Sequence, residues 1–197
     1  MKRLSLGVCA AAALAMAFAA RQANATVIIN VTEVGGDVVF ATTGSLDLTG
    51  ATALGGIGYS DGFIPGGANW YIASGAGSSV DNYALTSFAG PFGTSLSFFS
   101  TPSSVSGDDF FIWGNGGMTE QVGVPVGYIS GSAISSGMVF SGATIAGFTM
   151  IPGTYSYDLP NDTITLNIGS AAVPEPTTVA LIGLGLAGLG FRGRKKA

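Results

Sequence analysis

The chain has 197 residues, 47% of them hydrophobic and 9% charged, with no histidine and one cysteine. Its formal charge of −4 hides a partition: all seven Lys and Arg residues lie near the ends, so Thr26 to Val173 carries ten carboxylates and no base. Without bases or imidazoles, this body lacks the cations that nucleic acids, anionic lipids and phosphoryl groups require, and it lacks Ser-His, Cys-His and His-metal chemistry.

Met1-Lys2-Arg3, an apolar run from Leu4 to Ala20 and the small-x-small trio Ala23-Asn24-Ala25 read as a secretory signal peptide over residues 1–25. The positive start stays cytoplasmic and the apolar stretch engages the Sec translocon as a helix. The small side chains of Ala23 and Ala25 fit the shallow pockets of signal peptidase. Cleavage after Ala25 leaves Thr26 first; an uncleaved anchor is the alternative, because Arg21 interrupts the late region. Cys9 departs with the leader, so the mature chain has no thiol, no disulfide and no Cys-based metal site.

The body is rich in Gly, Ser, Thr and β-branched or aromatic residues, a composition of strands joined by turns. Val27, Ile29 and Val31 alternate with Ile28, Asn30 and Thr32, Gly35-Gly36-Asp37 breaks the run, and Val38 and Phe40 resume it, which predicts an opening hairpin. Gly50 to Gly67 and Gly75 to Ser79 are glycine-rich and apolar-poor and read as surface loops, where recognition often resides. Further strands are predicted at Trp70–Ser74, Tyr83–Phe88, Ser95–Ser100, Asp109–Trp113, Gln121–Ile129 and Ala133–Phe140. Pro125 offers no ladder donor, which puts the Gln121–Ile129 strand at an edge or a bulge. Thr154–Leu159 and Thr163–Ile168 flank the turn trio Pro160-Asn161-Asp162 and predict a closing hairpin. The regular spacing predicts an all-β fold, a single antiparallel β-sandwich of jelly-roll or Ig-like kind over residues 26–170. Phe40, Leu96, Phe98, Phe111, Val139, Phe148 and Leu166 are its candidate core.

Asp108-Asp109 is the one adjacent acid pair, the residue type that glycoside hydrolysis uses. Neighbours on a strand point to opposite faces, so the pair reads instead as a turn entering Phe110-Phe111-Ile112-Trp113, and no catalytic residue is expected. Calcium is an option for loop Asp residues, but no Asp-x-Asp-x-Asp-Gly spacing occurs, and solvated surface acids explain the same composition. The metal site is therefore left unassigned and no cofactor is expected. Trp70, Tyr71, Trp113 and Tyr128 would stack on sugar rings if exposed; placement in the core or at its rim is the alternative.

The C-terminal stretch 171–197 contains Val173-Pro174-Glu175-Pro176-Thr177, an apolar run to Phe191, and a basic end with Arg192, Arg194, Lys195 and Lys196. A helix over 177–191 would span about 22 Å at 1.5 Å per residue, short of a typical hydrocarbon core, which suits a temporary anchor. Ala180, Gly183, Ala187 and Gly190 would line one face for close approach by another helix, and the basic cluster would stop transfer on the cytoplasmic side. This tail resembles the PEP-CTERM sorting signal of bacterial exported proteins. The resemblance implies Sec export, transient inner-membrane anchoring, and cleavage near Pro174-Glu175-Pro176 by an exosortase, often in bacteria that make exopolysaccharide. The body is similar to an ectodomain such proteins carry, through Val124–Ser132, Phe140–Thr144 and Pro152–Tyr155, a likeness that brings no catalytic residues with it. The expectation is a non-enzymatic cell-surface or biofilm-matrix protein. A lectin-like module for neutral or calcium-bridged polysaccharide is the alternative, and a carboxylate-only hydrolase comes last.

Overall fold

The computed structural model describes residues 26–67, 69–75, 79–94, 99–115 and 119–169. Strands β1 (Thr26–Val34) and β2 (Asp37–Ser45) form the opening hairpin. Val27, Ile29 and Val31 are buried at alternate positions, as are Val38, Phe40 and Thr42. Gly35 and Gly36 take φ of 63° and 91°, the paired left-handed geometry that lets a two-residue turn follow the strand twist.

The chain continues through β3 (Ala53–Gly58), β4 (Gly62–Ile64), β5 (Asn69–Ser74), β6 (Ser79–Ala84), β7 (Ser87–Phe88) and β8 (Ser104–Gly107). It ends with β9 (Phe110–Asn115), β10 (Gln121–Pro125), β11 (Ala133–Phe140), β12 (Gly153–Asp158) and β13 (Thr163–Ile168). One sheet runs β7-β12-β13-β1-β2-β11-β8 and the other β3-β6-β10-β9-β5-β4. They pack face to face around one core drawn from both, with Val27, Phe40 and Leu166 on one side and Ile72, Ile112 and Val122 on the other. Aromatic pairs cross the gap: Phe40–Phe63 at 5.3 Å between ring centroids, Phe63–Phe140 at 5.1 Å and Trp70–Tyr157 at 5.0 Å.

The sandwich departs from the expected all-antiparallel form at one pair. β1 runs parallel to β13, with Val27 opposite Ile164, Ile29 opposite Leu166 and Val31 opposite Ile168. All six side chains are buried, so matching two apolar faces decides this pairing of the first and last strands. With thirteen strands among the described residues, the sandwich is also larger than the Ig-like or jelly-roll templates, which use up to about nine.

Other expectations shift. The supposed loop Gly50–Gly67 holds β3 and β4; β3 lies on a sheet edge with every residue exposed, so burial imprints no alternation on its sequence. The Tyr83–Phe88 strand is two pieces, because Leu85 and Thr86 carry the chain from one sheet to the other: Leu85 N–H bonds Glu120 O at 2.9 Å, then Thr86 N–H bonds Asp158 O at 2.8 Å. Pro125 does not make β10 an edge. It is the last residue of an interior strand, beyond Gly123, where the ladder with β9 stops, and its carbonyl accepts the Tyr128 N–H that closes the following turn. The strand thus ends at 125 and not at 129. β8 was not predicted, and residues 95–98 of the Ser95–Ser100 strand, with Leu96 and Phe98, lie outside the described residues, as do the signal helix 1–25 and the membrane helix 177–191. Of the other candidate core residues, Phe40, Leu166 and Phe111 are buried, Phe148 packs at the rim, and Val139 is half-buried because Met138 and Phe140 take the inward positions.

Candidate functional site

The six-stranded sheet is apolar on both faces. On β5, Trp70 and Ile72 point into the sandwich, so Tyr71 and Ala73 point out; on β9, Phe110 and Ile112 point in and Phe111 and Trp113 out. Tyr71 stands opposite Trp113, and Ala73 opposite Phe111. One strand further, Gly123 of β10 leaves the space the Phe111 ring fills: a Cβ there would lie 2.4 Å from the ring. The connection from β3 to β4 brings Tyr59 over this face, its ring 6.2 Å from Phe111. Ile57, Gly58, Tyr59, Tyr71, Phe111 and Trp113 line a shallow cup of about 150 Å³.

The rim is polar and anionic. The Tyr59 hydroxyl donates to Asp109 Oδ1 at 2.8 Å, and the Tyr71 hydroxyl donates to Ser60 O at 2.7 Å. Both phenols are pushed above their ordinary pKa, chiefly by burial, so they stay protonated donors. Asp61 follows Ser60 and lines a second hollow with Phe99 and Thr101–Val105. Its Oδ1 is buried without a hydrogen-bond partner. Burial, then the charge of Asp109, raises the Asp61 pKa.

That shift has a sign. A carboxylate whose folded pKa is raised favours the fold when protonated; the contribution is complete below the ordinary value of 3.8 and is lost as pH rises through the raised folded value. Asp61→Asn should therefore raise the Tm at neutral pH and flatten its pH dependence above 3.8. Melting curves across that window check this, and an unchanged profile in the variant would contradict it.

Of the four aromatics nominated for sugar stacking, Tyr71 and Trp113 reach the cup. Trp70 is 3% exposed and stacks inside on Tyr157. Tyr128 is a structural anchor: its oxygen accepts the Leu46 N–H at 2.9 Å and its hydroxyl donates to Ser132 O. The acid pair diverges, with Asp108 Oδ2 accepting the Ser135 N–H at 2.8 Å on one sheet while Asp109 serves Tyr59 on the other. Among the described residues no group of three or more His, Cys, Asp or Glu is placed to hold a metal ion. Tyr59 was missed because it sits in glycine-rich sequence. Phe111 had been counted as ordinary core, although the unbroken run Phe110–Trp113 marks a strand covered on both sides.

Ala23, Ala25, Pro174, Glu175, Pro176, Arg192, Arg194, Lys195 and Lys196 lie outside the described residues. No curated protein and no solved structure matches the chain. Residues 172–195 match the family model of the PEP-CTERM protein-sorting motif, and with Pro174-Glu175-Pro176 and the apolar run inside that match, the chain carries the sorting tail of an exosortase substrate.

Proposed function

We propose that this is a non-enzymatic protein of the cell surface or extracellular matrix, exported with its leader removed after Ala25. Residues 177–191 hold it briefly in the inner membrane until an exosortase cuts near Pro174-Glu175-Pro176. The observation that carries this reading is the sorting tail joined to an all-β body without a single Lys, Arg or His. Such a body stays soluble outside the cell through its negative charge and presents no imidazole or ammonium for acid-base work. Replacing Pro174, Glu175 and Pro176 together by alanine should leave an uncut precursor in the membrane fraction and remove most of the released form. Equal release of the variant and the parent would overturn the proposal.

A second reading, glycan binding by the exported body, is favoured by one observation. Tyr71 and Trp113 are cross-strand neighbours on an outer sheet face and both line the cup, and aromatic side chains so placed are the residue type on which the C–H face of a sugar stacks.

A further inference from the structure

We infer that removal of the leader sets a latch: the α-ammonium freed on Thr26 seats against the buried carboxylate of Asp162 and fastens β1 between β13 and β2. This rests on the cut after Ala25 and adds what that cut does to the fold.

Topology puts the two groups at one end of one sheet. β1 lies between β13 and β2, and its first residue, Thr26, stands opposite Thr163, the first residue of β13. Asp162 directly precedes β13 and Asp47 follows the end of β2. The Asp162 carboxylate spans the interval: Oδ1 accepts the Thr163 N–H and Oδ2 accepts the Asp47 N–H, each at 2.7 Å. It therefore closes the sheet end at which β1 starts. Thr26, Asp158 and Asp162 line one open hollow there, of about 500 Å³.

The groups around this hollow are acidic. Asp162 is 8% exposed, and burial raises its pKa against the two N–H bonds, with the charge of Asp47 adding to the rise. Asp158 Oδ1 accepts the Thr163 hydroxyl at 3.0 Å. Tyr128, the neighbouring phenol, is pushed up chiefly by burial and stays neutral. No side chain from Thr26 to Val173 supplies a cation. Hydrolysis of the Ala25–Thr26 bond supplies one: the oxygen of water stays with the Ala25 carboxylate, and the Thr26 nitrogen leaves as an amine that takes up a proton. An uncharged peptide nitrogen becomes an ammonium with three donors, and a charge-assisted bond to a carboxylate is stronger than a neutral one.

The test titrates that amine in protein recovered from the cell surface, once its intact mass shows a start at Thr26. The rate of acylation by an amine-directed reagent, followed against pH, should place the amine about one unit or more above the ordinary α-amino value of about 7.7–8.0, so that it reacts about tenfold more slowly at neutral pH. A cation whose folded pKa is raised stabilises fully below its unfolded value, and the contribution is lost as pH rises through the folded one. Acetylation should therefore lower the Tm by about 2–4 °C at pH 7, with the gap closing in alkali. Asp162→Asn should return the amine toward its ordinary value and cancel the effect of acetylation. Asp37→Asn, an equal loss of charge at the far end of β2, should change neither.

An ordinary titration in the parent protein, with a Tm that acetylation leaves unmoved, would overturn the latch and leave the exported-protein reading standing; this measurement needs no variant to fold. A surface form that does not begin at Thr26 would remove the leader assignment and the latch together. Asp37→Asn shifting the amine as far as Asp162→Asn would reduce the effect to bulk charge and overturn the contact.

Discussion

Tyr157→Ala should cost on the order of 3–5 kcal/mol of unfolding free energy, a large part of what a domain of this size has. The side chain is fully buried, and its ring lies 5.0 Å from Trp70 across the gap between the sheets. Its hydroxyl donates to Gly90 O at 3.3 Å. Neighbouring strands β12 and β13 are laddered from Gly153 to Asp158, so the backbone cannot collapse into the space left behind. Tyr157→Phe keeps the ring and loses only the hydroxyl's bond, about 1 kcal/mol. Urea unfolding with unchanged slope separates the two variants by their midpoints. Similar losses in both would show that the hydroxyl, and not the inter-sheet packing, holds this end of the sandwich.

Gly44→Ala is the second large effect, and its cause is backbone. Gly44 has φ of 131°, and a Cβ there would lie 2.0 Å from the Thr26 carbonyl oxygen and 2.9 Å from Val27 Cα. No rotamer relieves a clash with main chain. β2 cannot move aside, since β1 holds one edge and β11 the other, with Gly44 opposite Ile134. The expected loss is at least about 3 kcal/mol, strained φ and displaced strand together. Gly36→Ala is the comparison: its φ is 91° with nothing within 4 Å, so only the conformational cost remains, about 1 kcal/mol. Equal destabilisation of the two would mean that β1 shifts freely against β2, which the buried Val27, Ile29 and Val31 row argues against.

Those two positions also show what the sequence made legible. Both hairpins were readable because turn residues and alternation coincide: Gly35-Gly36 before Val38, and Pro160-Asn161-Asp162 before Thr163–Ile168, where the Leu159 N–H meets Asp162 O at 2.8 Å. Ala133–Phe140 was equally plain, with Ile134, Met138 and Phe140 on the inner face. β3 was not, because an exposed edge strand of Ala, Leu, Gly and Ile obeys no burial pattern. The parallel meeting of β1 and β13 joins residues more than a hundred positions apart, and no local signal encodes it. For the cup, the residue types were visible but their faces were not: Trp70-Tyr71-Ile72-Ala73 is apolar at every position, so only tertiary packing decides that Trp70 turns inward and Tyr71 outward. Asp109 was seen as half of a pair, yet the chain crosses between sheets right there, and each carboxylate is claimed by a different one. The tail was the clearest feature because its meaning is carried by a short linear motif and a charge boundary, neither of which depends on folding.

The central claim, a base-free sandwich carried outward between two removable segments, is tested most directly by the intact mass of the protein from separated surface, membrane and cytoplasmic fractions. The surface form should begin at Thr26 and end close to Pro174-Glu175-Pro176, with any attached group visible as added mass. Recovery of the unprocessed 197-residue chain, chiefly from the cytoplasm, would contradict it.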